Sequence, residues 1–193
     1  KGRVLPADDI ALLREAGRET VIAARLDPGD VTEDAAAQRI AEALAGDNLR
    51  VGEAFTGRCN LFAEAHGVIV IDRARLDAIN MVHEAVTVAT VGPYDQVTPG
   101  QMVATIKIIP FAIAADVLRA VFAGAEGEPL ATGAPFRAMN AGLVLSRLPG
   151  MKESILDGTV KTIGARLESC GSRIAEEIRC GHDEDEIAGA IRD

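Results

Sequence analysis

GLVLSRLPGMKESILDGTVKTIGARLESCGSRIAEEIRCGHDEDEIAGAIRD, residues 142–193, is the stretch from which the architecture is read. Gly142–Ser146 is a short apolar run, and Leu148-Pro149-Gly150-Met151-Lys152-Glu153-Ser154 breaks it. Leu156, Val160, Ile163 and Leu167 then recur at the three- and four-residue spacing of one helix face, which Gly171 stops. Ser172–Cys180 returns to an extended pattern, and Asp183–Ile191 reads as a second amphipathic helix. Strands alternating with helices imply a parallel sheet with right-handed crossovers, whose ligands sit beyond the carboxyl ends of the strands. The loop at Leu148–Ser154 lies at such an end. A helix N-terminus offers free N–H groups and roughly half a positive charge, to which Lys152 and the Ser154 hydroxyl would add donors for a phosphate or carboxylate. Thr159 lies about a turn further in. The bland alternative is that Pro149-Gly150 turns the chain and Lys152 is solvated. Neither GxGxxG nor GxxxxGK[ST] is present, so the loop carries no nucleotide fingerprint.

Upstream, Pro6-Ala7-Asp8-Asp9 opens a helix, with two carboxylates near the positive end of its dipole. Ile10, Leu13 and Ala16 supply its apolar stripe and Gly17 ends it. Thr20–Arg25 has the β-branched start of a strand, and Asp27-Pro28-Gly29-Asp30 is a turn. Thr32 is placed to cap a second helix through its hydroxyl, with Ala36, Ile40, Ala43 and Leu44 on one face. From Leu49 the pattern changes to short strands at Leu61–Ala65, Val68–Asp72, Val86–Val91 and Met102–Ile109, with brief helices at Arg73–Met81 and Ala114–Phe122. Gly124–Arg137, rich in Gly, Pro and small residues, is the best linker candidate. The expected division is therefore residues 1–137, a mixed α/β domain with short strands, and residues 138–193, the first β-α-β-α part of a second domain.

The 193 residues are 48% hydrophobic and carry a net charge of −9, with a pI near 4.9. That balance supplies real cores and argues against a nucleic-acid partner, which requires concentrated Lys and Arg. No apolar run approaches the roughly 18 to 20 residues of a membrane span, no signal-peptide pattern is present, and the chain reads as cytoplasmic. Cys59, Cys170 and Cys180, odd in number and scattered, suit reduced thiols. No CxxC or HxxxH spacing supports a metal site.

Lys107 stands as a single charge on the apolar Met102–Ile109 strand, either contacting an anionic ligand or snorkelling from a half-exposed position. Thr56-Gly57-Arg58-Cys59-Asn60 reads either as a polar binding loop or as a turn before a strand. Cys59 has no nearby His in sequence that would activate it as a nucleophile. In His182-Asp183-Glu184-Asp185, helix capping by Asp183 outweighs a metal site. Hydrolase triads, paired catalytic carboxylates and metal-ligand clusters are not identifiable.

Several stretches resemble a known family. Lys1–Ile10, followed by Leu12-Leu13, Ala16-Gly17 and Val21, resembles the segment of molybdopterin molybdotransferases that leads into their binding domain. Gly142–Asp193 resembles the start of that three-layer α/β domain, with "Leu-Glu-Ser-Cys-Gly" at Leu167–Gly171 and "His-Asp-Glu-Asp-Glu-Ile" opening the last helix. Phe55–Phe62 and Gly100–Phe111 look like a bacterial group of molybdopterin-binding-like proteins. The resemblance implies binding of molybdopterin, with its dithiolene and terminal phosphate, during molybdenum cofactor biosynthesis or handling. Ser146, Lys152, Ser154 and Thr159 would donate to the anionic ligand, and Mg²⁺ would offset the phosphates. Two departures stand out. Ser146-Arg147-Leu148-Pro149-Gly150 replaces a Thr-Gly-Asp-Glu-like turn, and Asp157-Gly158-Thr159 replaces Asp-Ser-Asn. The Gly-rich phosphate loop after the domain's third strand would lie beyond Asp193, so transferase turnover by these residues alone is not expected. The alternative is a non-enzymatic assembly or partner-binding module, with self-association of the front half left open. A weaker third reading gives covalent chemistry to Cys59 or Lys107.

Overall fold

The computed structural model describes residues 4–192. It divides into two compact units, residues 1–134 and 135–193. Lys1, Gly2 and Arg3 of the front resemblance, and Asp193, lie outside the described residues. The architecture is mixed α/β, with six helices among the described residues.

In the first unit, α1 (Ala7–Glu15) starts after Pro6, and the chain leaves it through Gly17 at φ +72°. The expected apolar stripe does not become core: α1 buries no residue, and Ile10 is exposed. Thr20–Arg25 forms no strand, and all six residues are exposed. β-branched residues favour an extended chain only where a neighbouring strand satisfies the backbone, and none is supplied here.

β1 (Val31–Thr32) leads into α2 (Glu33–Leu44). Thr32 occupies the N-cap position but its side chain makes no capping hydrogen bond. Ala36, Ala37, Ile40, Ala41 and Leu44 are buried along α2, and Ala43 falls just outside that stripe. Next come β2 (Leu49–Val51), β3 (Arg58–Ala63), β4 (Gly67–Ile71), α3 (Arg73–Asn80), β5 (Val86–Thr90), β6 (Gln96–Val97), β7 (Met102–Ile108), β8 (Ala112–Ile113), α4 (Ala115–Ala125) and β9 (Ala131–Pro135). β2, β3, β7 and β5 form an antiparallel sheet in that order; β6, β4 and β9 form a second, and β1 pairs with β8.

β3 begins at Arg58, earlier than the sequence pattern suggests, because Arg58, Cys59 and Asn60 pair with Lys107, Ile106 and Thr105. Only Thr56-Gly57 remains as the turn, both at positive φ. Alternation along β3 buries Cys59, Leu61 and Ala63, and β7 buries Ala104, Ile106 and Ile108, all in the core with α2. Met102 does not join them and is 50% exposed.

The expected linker at Gly124–Arg137 is in large part structured. Ala131–Pro135 is β9, and Leu130, Ala131 and Gly133 are buried. Its small residues allow close backbone approach rather than flexibility: a Cβ on Gly133 would sit 3.0 Å from Asn48. The Arg75 guanidinium also ties down the preceding turn through the Gly124, Glu126 and Glu128 carbonyls.

The second unit is β10 (Asn140–Arg147), α5 (Glu153–Glu168), β11 (Arg173–Gly181) and α6 (Glu184–Arg192). β10 and β11 are parallel, with Ser146 opposite Cys180 and Arg147 opposite Gly181. On α5, Leu156 is buried while Val160, Ile163 and Leu167 are half-buried. Gly171, at φ +73°, turns the chain into β11.

Ile106 is fully buried in the core shared by α2 and the sheet. Ile106→Ala is expected to lower unfolding stability by about 2–5 kcal/mol, read by urea denaturation.

Candidate functional site

In the second unit, both parallel strands end on the same side, and each hands the chain to a helix N-terminus there. After Arg147 the chain turns through Leu148–Met151, closed by the Met151 N–H on the Leu148 carbonyl at 3.1 Å, with Gly150 at φ +80°. Lys152 then occupies the N-cap of α5 without a side-chain cap, which leaves first-turn N–H groups of α5 without that acceptor. After Gly181 the second loop runs through His182 and Asp183 into α6. Asp183 Oδ1 accepts from the Asp185 and Glu186 N–H groups at 3.0 and 3.4 Å, as a capping side chain does.

The two loops are stitched together. The His182 N–H donates to the Arg147 carbonyl at 3.1 Å. Ser146 Oγ lies 2.9 Å from His182 Nδ1, and Glu186 Oε2 accepts from the Gly181 N–H at 2.6 Å. Between them is an open cleft of about 370 Å³, walled by residues 147–151 on one side and by Gly181, His182, Asp183 and Glu186 on the other.

The four residues singled out in the sequence fare differently. Ser146 reaches this end of the sheet and is held by His182. Lys152 and Ser154 sit exposed at the start of α5, with no hydrogen-bond or ion-pair partner for either side chain among the described residues. Thr159 turns away: its hydroxyl donates to the Ile155 carbonyl at 2.9 Å, satisfied by its own helix. No group of three or more His, Cys, Asp or Glu side chains arranged to hold a metal ion occurs among the described residues.

Arg179 is a positioning residue that the sequence patterns did not single out. Its guanidinium contacts Glu177 at 2.6 Å, and Glu153 and Asp157 at 2.7 Å each. Asp157 first, then Glu177 and Glu153, push the pKa of this guanidinium up. Glu153 also pairs with Arg147 at 3.0 Å. The first turn of α5 is thereby tied to β11 and to the end of β10, which fixes where the loop between them can run. Isolated exposed pairs contribute little, but a shared network restricts geometry.

The remaining candidates lie in the first unit. Lys107 and Arg58, read separately from the sequence, are direct cross-strand partners, and the adjacent row pairs Asn60 with Thr105. Cys59 points to the other face, is 0% exposed, and lies 3.3 Å from the Gly52 carbonyl and 3.7 Å from Gln38 Oε1. Burial first, then the Glu42 carboxylate, push its thiol pKa up, while the Asn60 backbone pulls it down. A buried thiol held in its neutral form is a poor nucleophile.

Comparisons with protein-family models, with curated proteins and with solved structures find no match for this chain.

Folding raises the Cys59 pKa above its ordinary value of 9.0. The stability tied to the neutral thiol is therefore intact below that value and falls as pH rises through the higher folded value. Cys59→Ala is expected to flatten this alkaline decline in a thermal-unfolding series. In native protein at about pH 8, near the ordinary thiol range, a thiol reagent should modify Cys170 and Cys180 and spare Cys59. Labelling of Cys59 as fast as Cys170 would contradict its enclosed setting.

Proposed function

We propose that the chain binds molybdopterin or a close phosphorylated pterin, in molybdenum cofactor biosynthesis or handling. On this reading the second unit is the opening β-α-β-α part of a three-layer parallel molybdopterin-binding domain. The observation that carries the proposal is the convergence of two strand–helix loops around one cleft at the carboxyl ends of β10 and β11, the position where open α/β sheets take ligands. The resemblance of Gly142–Asp193 to molybdopterin-binding domains supplies the ligand class.

Lys152 and Ser154 stand beside the cleft at the start of α5, not among the residues that wall it, and would reach the terminal phosphate of such a ligand from its edge. α5 lacks a side-chain cap, and the Lys152 ammonium and Ser154 hydroxyl have no partners among the described residues. The Ser146 hydroxyl, bonded to His182, would orient rather than neutralise. Thr159, occupied by the Ile155 carbonyl, has no part in the proposed contact set. Asp183 and Glu186 bring negative charge to the opposite wall, but both are engaged by backbone N–H groups. These residues offer no three-ligand metal set, so Mg²⁺ would be held chiefly by the ligand's own phosphate oxygens. The bound pterin would supply dithiolene sulfurs as metal ligands, while the chain would anchor the phosphate.

The alternative, a non-enzymatic assembly module, is favoured by one feature of the first unit. Phe55, Ile109 and Phe111 are large exposed apolar residues around the end of β7, a surface suited to a second copy of the chain.

Isothermal calorimetry with molybdopterin tests the first reading. Micromolar binding is expected, weakened roughly tenfold by Lys152→Gln through loss of one charge-assisted contact, and unchanged by Thr159→Val. Absence of binding at micromolar concentrations, together with concentration-dependent dimerisation in sedimentation, would favour the assembly module.

A further inference from the structure

A second polar surface lies in the first unit, on the face of the β2-β3-β7-β5 sheet opposite its core. Register puts Arg58, Lys107 and Thr87 in one cross-strand row, and Asn60, Thr105 and Ala89 in the next. These side chains alternate with Cys59, Ile106 and Val88, which are buried in the core with α2, so the two rows share the other face. Arg58 and Lys107 are exposed.

Two like charges directly opposite on adjacent strands repel, and no ion pair relieves them among the described residues. No acidic side chain pairs with Arg58 or Lys107 among the described residues. Asp34, the acid at this end of β3, is engaged through Oδ1 by the Gly57 N–H at 2.7 Å. Glu33 lies against Gly57. In the adjacent row, Asn60 Oδ1 and Thr105 Oγ1 are buried without a hydrogen-bond partner. Two facing, exposed cations without an ion-pair partner, on a chain of net charge −9, describe a surface that lacks its counter-charge.

We propose that this face binds a phosphate monoester. Two facing cations match the charge of close to −2 that such a group carries near neutrality. The planar Arg58 guanidinium suits two oxygens at once, and the Lys107 ammonium serves as a point charge on a third. Asn60 and Thr105, whose side-chain oxygens are enclosed, flank the cation pair and are not themselves contacts of the ester. The site is separate from the proposed pterin cleft and does not rest on it.

Two-dimensional ¹⁵N NMR of the full chain tests this, with titrations of inorganic phosphate, acetate and chloride at matched ionic strength. The amides of Arg58, Asn60, Thr105 and Lys107 are expected to shift saturably with phosphate alone. Lys107→Gln should weaken that response by about tenfold or more and, by removing a like-charge pair, should not lower the melting temperature. Arg58→Lys, which keeps the charge and loses the fork, should bind at an intermediate level. Lys152→Gln should leave these four resonances unaffected, which separates this site from the cleft of the second unit. Four unmoved resonances, equal shifts with chloride or acetate, or undiminished binding by Lys107→Gln would each overturn the proposal.

Discussion

The first unit depends on how closely α2 approaches β3 and β7. The helix presents Ala36, Ala37 and Ala41 alongside Ile40 and Leu44, so its backbone can come near the sheet while two long side chains fill the gaps among Cys59, Leu61, Ile106 and Ile108. That contact decides which face of each strand is inside. Because strand side chains alternate, a slip of one residue would carry Arg58 and Lys107 into the core and Cys59 and Ile106 into water. The burial of aliphatic groups under α2 therefore also determines which polar groups are displayed on the far side. The turn at Thr56-Gly57 contributes to that registration. A Cβ on Gly57 would lie 2.6 Å from the Ile108 carbonyl oxygen, and the Ile108 N–H donates to the Gly57 carbonyl at 2.7 Å.

The second unit is organised differently. Its apolar core is thin, with Leu145, Leu156 and Ala190 as its buried apolar residues, and much of its definition comes from charge. Arg179 gathers carboxylates from its own strand and from the first two turns of α5, while Arg147 takes the remaining side of Glu153. An acid at the start of a helix also suits the dipole. Glu153 therefore serves three ends: it favours the helix, anchors the helix to the sheet, and leaves Lys152 unpaired beside it.

The elements that were legible in the sequence are those whose burial pattern is local. β10, α5, β11 and α6 follow from periodicity and from the glycines at 150 and 171, with ends displaced by one or two residues. α2, α3, α4, β4, β5 and β7 were readable for the same reason. Thr20–Arg25 was misread because β-branched residues describe a preference that needs a partner strand. Gly124–Arg137 does contain the boundary between the two units, but most of it is packed, because small residues serve both flexible connections and tight packing, and Asn48 and Thr132 decide for the second. The possible anion loop was visible as composition, but the Ser146 to His182 contact and the reach of Arg179 join residues far apart in sequence. The Arg58 and Lys107 pairing is hidden similarly, since only the register of β3 on β7 brings them side by side.

A two-stranded parallel sheet leaves both outer strand edges without a strand partner among the described residues. Such edges are templates for pairing with another molecule. β11 places Arg173, Glu176, Glu177 and Arg179 along its length, and this density of alternating and adjacent charges makes an incoming strand desolvate ions at nearly every step. The same side chains that lock α5 in place thus also make β11 a costly template for an unrelated strand.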